Sequence, residues 1–260
     1  MHGRYRRSKA NRASPRSVHC PCCHEPHDVA LHSPERFTRE TYPRAARMPL
    51  QDRERILFIG NSITDTGRNR DVPQPNQPGA LGCGYALFTA ARLLADHCGR
   101  QLEIYNRGVG GDRVTDMAER WQADCIDLQP TLLSVLIGVN DTWHRFGSRG
   151  GIELDEYERV YRDLLTQATA TLEPLRLVLC EPFALRTGQV TEQWFPEFDQ
   201  RREIVRKLAG EFDAAFVPFQ EMFDRACEEA PAWYWAEDGV HPSLAGHQRM
   251  AECWLRTVLG

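Results

Sequence analysis

The sequence predicts an α/β domain with an open, mostly parallel sheet and helices on both faces. Three observations carry this. Short apolar runs recur along the chain, stretches with helical spacing of apolar residues lie between them, and the runs end in turns rich in glycine and asparagine. The runs are continuous rather than alternating, as in strands buried on both faces.

The elements follow in order. Residues 56–59 are a first strand, ending at Gly60. A Gly- and Pro-rich loop, 66–82, is long enough to suggest a functional role. Leu87, Ala91, Leu94 and Cys98 then share one helical face. Residues 102–105 are a weaker strand ending at Asn106, and 132–137 a strong one ending at Gly138. Leu154, Tyr157, Val160, Tyr161, Leu164, Leu165 and Ala168 mark a long helix. Strands at 175–179 and 214–217 flank a more charged helix, 198–211. The last helix, from about Leu244, carries the stripe Ala251, Trp254, Leu255 and Val258.

Composition narrows the function. With 42% hydrophobic and 26% charged residues, the chain is neither collagen-like, low-complexity nor a long coiled coil. The longest apolar stretch, 131–139, falls far short of the roughly 20 residues that span a bilayer, so no membrane partner is expected. A net charge of −4 argues against a dedicated nucleic-acid binder. That charge is unevenly spread: residues 1–50 carry +6 and residues 51–260 carry −10. The first fifty residues show no sustained period and are expected to be a disordered basic tail. Residues 51–260 are expected to form a single domain.

The tail holds Cys20, Cys22, Cys23, His24 and His27, but they crowd into eight residues instead of forming two separated ligand pairs. No metal site is therefore expected. Met48, just before the first strand, and the arginine-rich composition suggest a start placed too far upstream. The basic N-terminus is followed by no apolar signal segment, so a cytoplasmic location is expected. The scattered Cys83, Cys98, Cys125, Cys180, Cys227 and Cys253 read as free thiols, mostly small buried hydrophobes.

In parallel sheets, ligands bind beyond the carboxyl ends of the strands. Those positions hold Gly60-Asn61-Ser62-Ile63-Thr64-Asp65, Asn106 to Asp112, and Gly138-Val139-Asn140-Asp141. Asp238-Gly239-Val240-His241 lies near the C-terminus. A serine needs an adjacent base to become a nucleophile, and histidine is the natural base near neutral pH. Asp238, three residues before His241, can fix its tautomer. The amides of Ser62 and Gly111 and the side-chain NH2 of Asn140 can serve as oxyanion donors. Other motifs fit less well: there is no G-x-G-x-x-G or Walker A pattern, and Thr64 breaks G-x-S-x-G. Asp65, Asp112 and Asp141 are expected to cap following helices. His97 and His247 read as packing or surface residues, and His144 as near the site without an assigned role.

The four blocks resemble those of the SGNH hydrolases, also called GDSL-type esterases, in that family's order across 56–247. The named Ser, Gly, Asn and His match Ser62, Gly111, Asn140 and His241, and Asp238 matches the triad aspartate. One departure is Asn61, where the family name has Asp. The resemblance implies a flavodoxin-like three-layer α/β/α sandwich and a metal- and cofactor-free acyl transfer through a serine ester. A narrower similarity, to bacterial SGNH acetylxylan esterases, rests on 57–65, Gly67-Arg68, the 79–85 loop, 140–143 and 241–247. It implies O-acetyl groups on xylo-oligosaccharide-like substrates and a homo-oligomer. Trp143, Trp235 and Arg68 are the candidate substrate contacts, with Trp233 beside them. A general short-chain esterase, thioesterase or lysophospholipase on the same scaffold is the alternative. A silent binding protein, or a tail-led metal- or nucleic-acid-binding role, is a more distant one.

Overall fold

The apolar runs become strands of one sheet. β1 spans Arg55–Gly60, β2 Glu103–Gly108, β3 Leu132–Leu136, β4 Arg176–Cys180 and β5 Ala215–Val217. All neighbouring pairs are parallel, in the order β2-β1-β3-β4-β5. The computed structural model describes residues 48–147 and 149–260. Bounds fall within one residue of expectation except in β2, which runs three residues further, to Gly108. Polar Asn106 stays in that strand because its amide donates to Thr64 O and Leu81 O, while its Oδ1 accepts from Gly108 N–H.

Helices link the strands. They are α1 Ser62–Asp65, α2 Pro78–Leu81, α3 Tyr85–Asp96, α4 Val114–Glu119 and α5 Val139–Trp143. They continue with α6 Leu154–Thr171, α7 Glu197–Glu211, α8 Phe219–Glu229, α9 Ala232–Trp235 and α10 Leu244–Leu259. Strand side chains alternate between faces, so each strand feeds two cores. Ile56, Phe58, Leu132, Val178 and Cys180 meet α3, α8 and α10. Leu57, Ile59, Leu133, Val135, Leu177 and Leu179 meet α4, α6 and α7. The result is helix, sheet, helix in three layers.

Three local details add to the expected elements. In α3 the buried residues are Tyr85, Ala86, Thr89, Ala90 and Leu93; of the expected stripe, Leu87 and Leu94 pack half-buried against the core, whereas Ala91 and, beyond the helix, Cys98 are exposed. The helix carries apolar residues on two adjoining stripes, and Tyr85, bonded through its hydroxyl to Thr64 Oγ1, sets which one faces inward. Just before β1, Met48 N–H donates to Val258 O and Leu50 is buried in the core. The rest of the tail, with its cysteines and histidines, lies outside the described residues. Finally, α8 lies outside the expected helices, although Phe219, Met222, Phe223 and Ala226 form a buried stripe at helical spacing.

Trp254 joins α10 to the sheet. It is fully buried, its ring lies 5.3 Å from that of Phe58, and its indole N–H donates to Ser134 Oγ at 3.0 Å. Trp254→Ala empties that volume and leaves the hydroxyl without its donor. We expect a loss of about 3–5 kcal/mol in urea unfolding; a loss under about 1 kcal/mol would contradict this packing.

Candidate active site

β1 stops at Gly60, and the chain turns sharply into α1. Asn61 makes that turn: its Oδ1 accepts from Ile63 N–H at 3.1 Å and its carbonyl from Asp65 N–H at 2.8 Å. A carboxylate there could make the same cap, so asparagine costs the turn nothing. Ser62 opens the helix, with its Oγ 2.9 Å from His241 Nε2.

The Asp238–His241 loop reaches the same place from the far end of the chain. Gly239 has φ +87°, and a Cβ built on it would lie 2.5 Å from Leu185 O and 2.6 Å from Thr187 O. Only glycine allows this approach. Asp238 Oδ1 accepts from Val240 N–H and His241 N–H at 2.9 and 2.8 Å, and Oδ2 meets His241 Nδ1 at 2.6 Å. Burial alone would raise the Asp238 carboxyl, but the His241 ring and the two backbone donors outweigh it and hold it below its ordinary value. An ionised carboxylate only accepts hydrogen bonds, so Nδ1 carries the proton and Nε2 is free to accept from Ser62.

β2 and β3 deliver the remaining groups. Gly111 has φ +85°, and its carbonyl accepts from His144 Nε2 at 3.0 Å and Arg149 Nη1 at 3.2 Å. Its neighbour Gly110 stands against the serine: a Cβ built there would be 3.9 Å from Ser62 Cβ. Asn140 is buried and donates one Nδ2 hydrogen to Asp112 O at 3.0 Å. An amide nitrogen carries two hydrogens, so a second remains for a ligand. The edge of the β1/β3 switch point thus gathers a serine, a histidine, a carboxylate and nearby N–H donors, the parts needed for acyl transfer. Among the described residues, no His, Cys, Asp and Glu cluster of three or more is placed to hold a metal ion.

The expected substrate contacts divide. Trp143 flanks the site, its ring 5.5 Å from that of His241 and 5.9 Å from that of Trp194. Trp235 does not open onto the site: it is 5% exposed, and its indole N–H is given to Ala226 O and Ala230 O. It packs α9 against α8 instead. Arg68 is 8% exposed, with Nε donating to Gly108 O at 2.8 Å, so it ties the loop after α1 to the end of β2.

The three aspartates do not cap the helices that follow them. Asp65 accepts from Gly110 N–H and pairs with Arg70, and Asp112 pairs with Arg120. Asp141 Oδ1 accepts from Val114 N–H at the start of α4. Asp65 and Asp141 reach backbone amides 45 and 27 residues away, which no local pattern reveals. His144, which had no assigned role, touches Gly111 O.

Comparison with known proteins decides the family. Residues 58–249 match the model of the GDSL-like Lipase/Acylhydrolase family. The chain belongs to this family. It is a carboxylic ester hydrolase. It is 33% identical over 215 residues to an acetylxylan esterase of Geobacillus stearothermophilus, covering 81% of this chain and 96% of that one. The crystal structure of a GDSL-like lipase from Parabacteroides merdae superposes with TM-score 0.78 at 45% identity, covering 81% of this chain and 98% of that one. Axe2, the acetylxylan esterase from G. stearothermophilus, superposes with TM-score 0.72 at 34% identity, over 81% and 96%. Solved catalytic mutants of Axe2 replace one serine, one aspartate and one histidine, the last two three positions apart.

His247 lies beside this GDSL-family site. Its Nδ1 accepts from Tyr85 N–H at 3.2 Å, which requires a neutral ring. Burial, helped by the nearby His241, pushes its pKa down to about 4. An unfolded histidine binds its proton near pH 6.5, so between there and pH 4 the unfolded chain binds more protons and this group destabilises the fold as pH falls. The full effect is about 3 kcal/mol. Burial pushes Asp141 up to about 6 despite Arg201, and that group acts in the opposite sense over the same window. The test is therefore a difference. His247→Asn keeps an acceptor, and its urea stability from pH 7 to pH 4 should fall less than that of the parent by up to about 3 kcal/mol. Parallel pH curves would refute a buried neutral His247.

Proposed function

We propose that this hydrolase removes O-acetyl groups from carbohydrate esters resembling acetylated xylo-oligosaccharides, through an acetyl-serine intermediate. One observation carries the mechanism: the unbroken row from Asp238 through His241 to Ser62, with steps of 2.6 and 2.9 Å. Ser62 attacks the acetyl carbonyl while His241 Nε2 takes its proton and Asp238 stabilises the imidazolium. His241 then protonates the leaving sugar oxygen. Water, deprotonated by the same ring, hydrolyses the acetyl ester and frees Ser62. The oxyanion forms within reach of the Ser62 and Gly111 amides and the Asn140 side chain.

Several features support a sugar ester. The relatives described as acetylxylan esterases match nearly their whole length, and the spacing of the replaced aspartate and histidine in Axe2 is that of Asp238 and His241. Trp143 offers an aromatic face beside the base, suited to a pyranose ring. The His241 side chain is 46% exposed, so a bulky leaving group can reach it from solvent. The fold reading proposed with it is flavodoxin-like, supported by the strand order 2-1-3-4-5. The proposal includes a cytoplasmic enzyme acting on imported oligosaccharides as a homo-oligomer.

Ser62→Ala should cut p-nitrophenyl acetate hydrolysis by at least about a thousandfold with an unchanged unfolding midpoint. Retained turnover would refute the assignment. Rates from acetyl to octanoyl esters, beside mass spectrometry of acetylated xylo-oligosaccharide products, test the substrate. The expected result is a steep preference for acetyl and stepwise loss of acetyl groups from the sugar. Equal rates on long acyl chains with no sugar deacetylation would favour a general short-chain esterase.

A further inference from the structure

Arg120 lies just beyond α4, more than fifty residues from Ser62 in sequence. Its side chain is 17% exposed, and all of its nitrogens are engaged. Nε donates to Asp112 Oδ2 at 2.6 Å and Nη2 to Gly60 O at 3.0 Å. Nη1 donates to Arg107 O at 2.7 Å and to Asp124 Oδ2 at 2.8 Å. Gly60 ends β1 two residues before the serine, Arg107 is the next-to-last residue of β2, and Asp112 follows Gly111. One planar fork therefore ties together the ends of two strands and the loop that bears the oxyanion glycine.

The chain of contacts continues to Asn140. Asp112, whose carboxylate Arg120 holds, accepts the Asn140 amide on its main-chain oxygen at 3.0 Å. That bond sets the plane of the Asn140 amide and hence the direction of its second hydrogen. Asp112 is 7% exposed, so without its cation the carboxylate would be left nearly buried and poorly compensated. It would turn toward water and move the carbonyl that orients Asn140.

We propose that Arg120 is a positioning residue: through Asp112 it aims the Asn140 side chain at the developing oxyanion. This rests on the oxyanion role given to Asn140 above. An interaction needed only in the transition state lowers kcat and leaves KM nearly unchanged when it is lost. Lysine keeps the charge of Arg120 but cannot reach its separate acceptors with a rigid fork.

The test is a double-mutant cycle on p-nitrophenyl acetate with the parent, Arg120→Lys, Asn140→Ala and the double variant. Asn140→Ala alone should lower kcat about a hundredfold, the usual effect of one lost oxyanion donor. Arg120→Lys should lower kcat about tenfold with KM within about twofold, and should add less than about twofold in the Asn140→Ala background. Asp112→Asn, a milder change, should also lower kcat and be silent in the Asn140→Ala background, which covers the case that Arg120→Lys does not fold. Equal losses with Asn140 present or absent would overturn the positioning role while leaving Asn140 as a donor. An unchanged kcat in Arg120→Lys would overturn it too, since charge alone would then suffice. No loss in Asn140→Ala would overturn the underlying oxyanion reading, and this proposal with it.

Discussion

Parallel pairing governs the whole molecule. Five strands running the same way discharge their following loops at one edge of the sheet, and a chain that reverses winding direction between β1 and β3 leaves a crevice there. Ser62 leaves β1, Gly111 follows β2 and Asn140 follows β3. No chemistry would assemble if one of these strands ran the other way, because its loop would emerge on the opposite edge. The Asp238–His241 loop is the one contribution that does not come from a strand end. It is placed by its docking on the 185–190 segment, where Leu185 N–H donates to Gly239 O and Gln189 N–H to Asp238 O.

Holding these loops together requires more than apolar packing, because the backbone carbonyls at the buried strand ends need donors. The chain answers with arginine. Arg120 takes Gly60 and Arg107 carbonyls, Arg68 takes that of Gly108, and fully buried Arg201 takes that of Ile152. Arg201 also stacks over Tyr157 and donates to Thr142 Oγ1, bracing the helix that carries Asn140. These guanidinium groups are largely or fully buried, so removing one would leave its acceptors uncompensated. Their value lies in fixed geometry, since a planar guanidinium satisfies several acceptors at once.

Much of this was legible in the chain, and the remainder follows a physical division. Strands were legible because burial on both faces leaves an unbroken apolar run, as at 132–137. The Asp238–His241 pair was legible because three residues suffice to bring their side chains together. Ser62, Gly111 and Asn140 were legible because they stand where parallel strands end. Arg120 was not, because its partners at 60, 107 and 112 become neighbours only when the sheet forms. Trp235 looked like a sugar platform by proximity to Asp238, yet its indole N–H found two backbone carbonyls. The rotation of α3 escaped a stripe argument because both Tyr85 and Leu87 begin plausible apolar faces.

The central claim is that Ser62 carries the acyl group between the two halves of the reaction. The direct measurement mixes the protein with excess p-nitrophenyl acetate, quenches in acid during the first turnovers and maps the adduct by peptide mass spectrometry. The account predicts one acetyl group on the peptide containing Ser62, absent in Ser62→Ala and lost on incubation in buffer. Acetyl on another residue of a turnover-competent protein, or steady hydrolysis by Ser62→Ala, would contradict it.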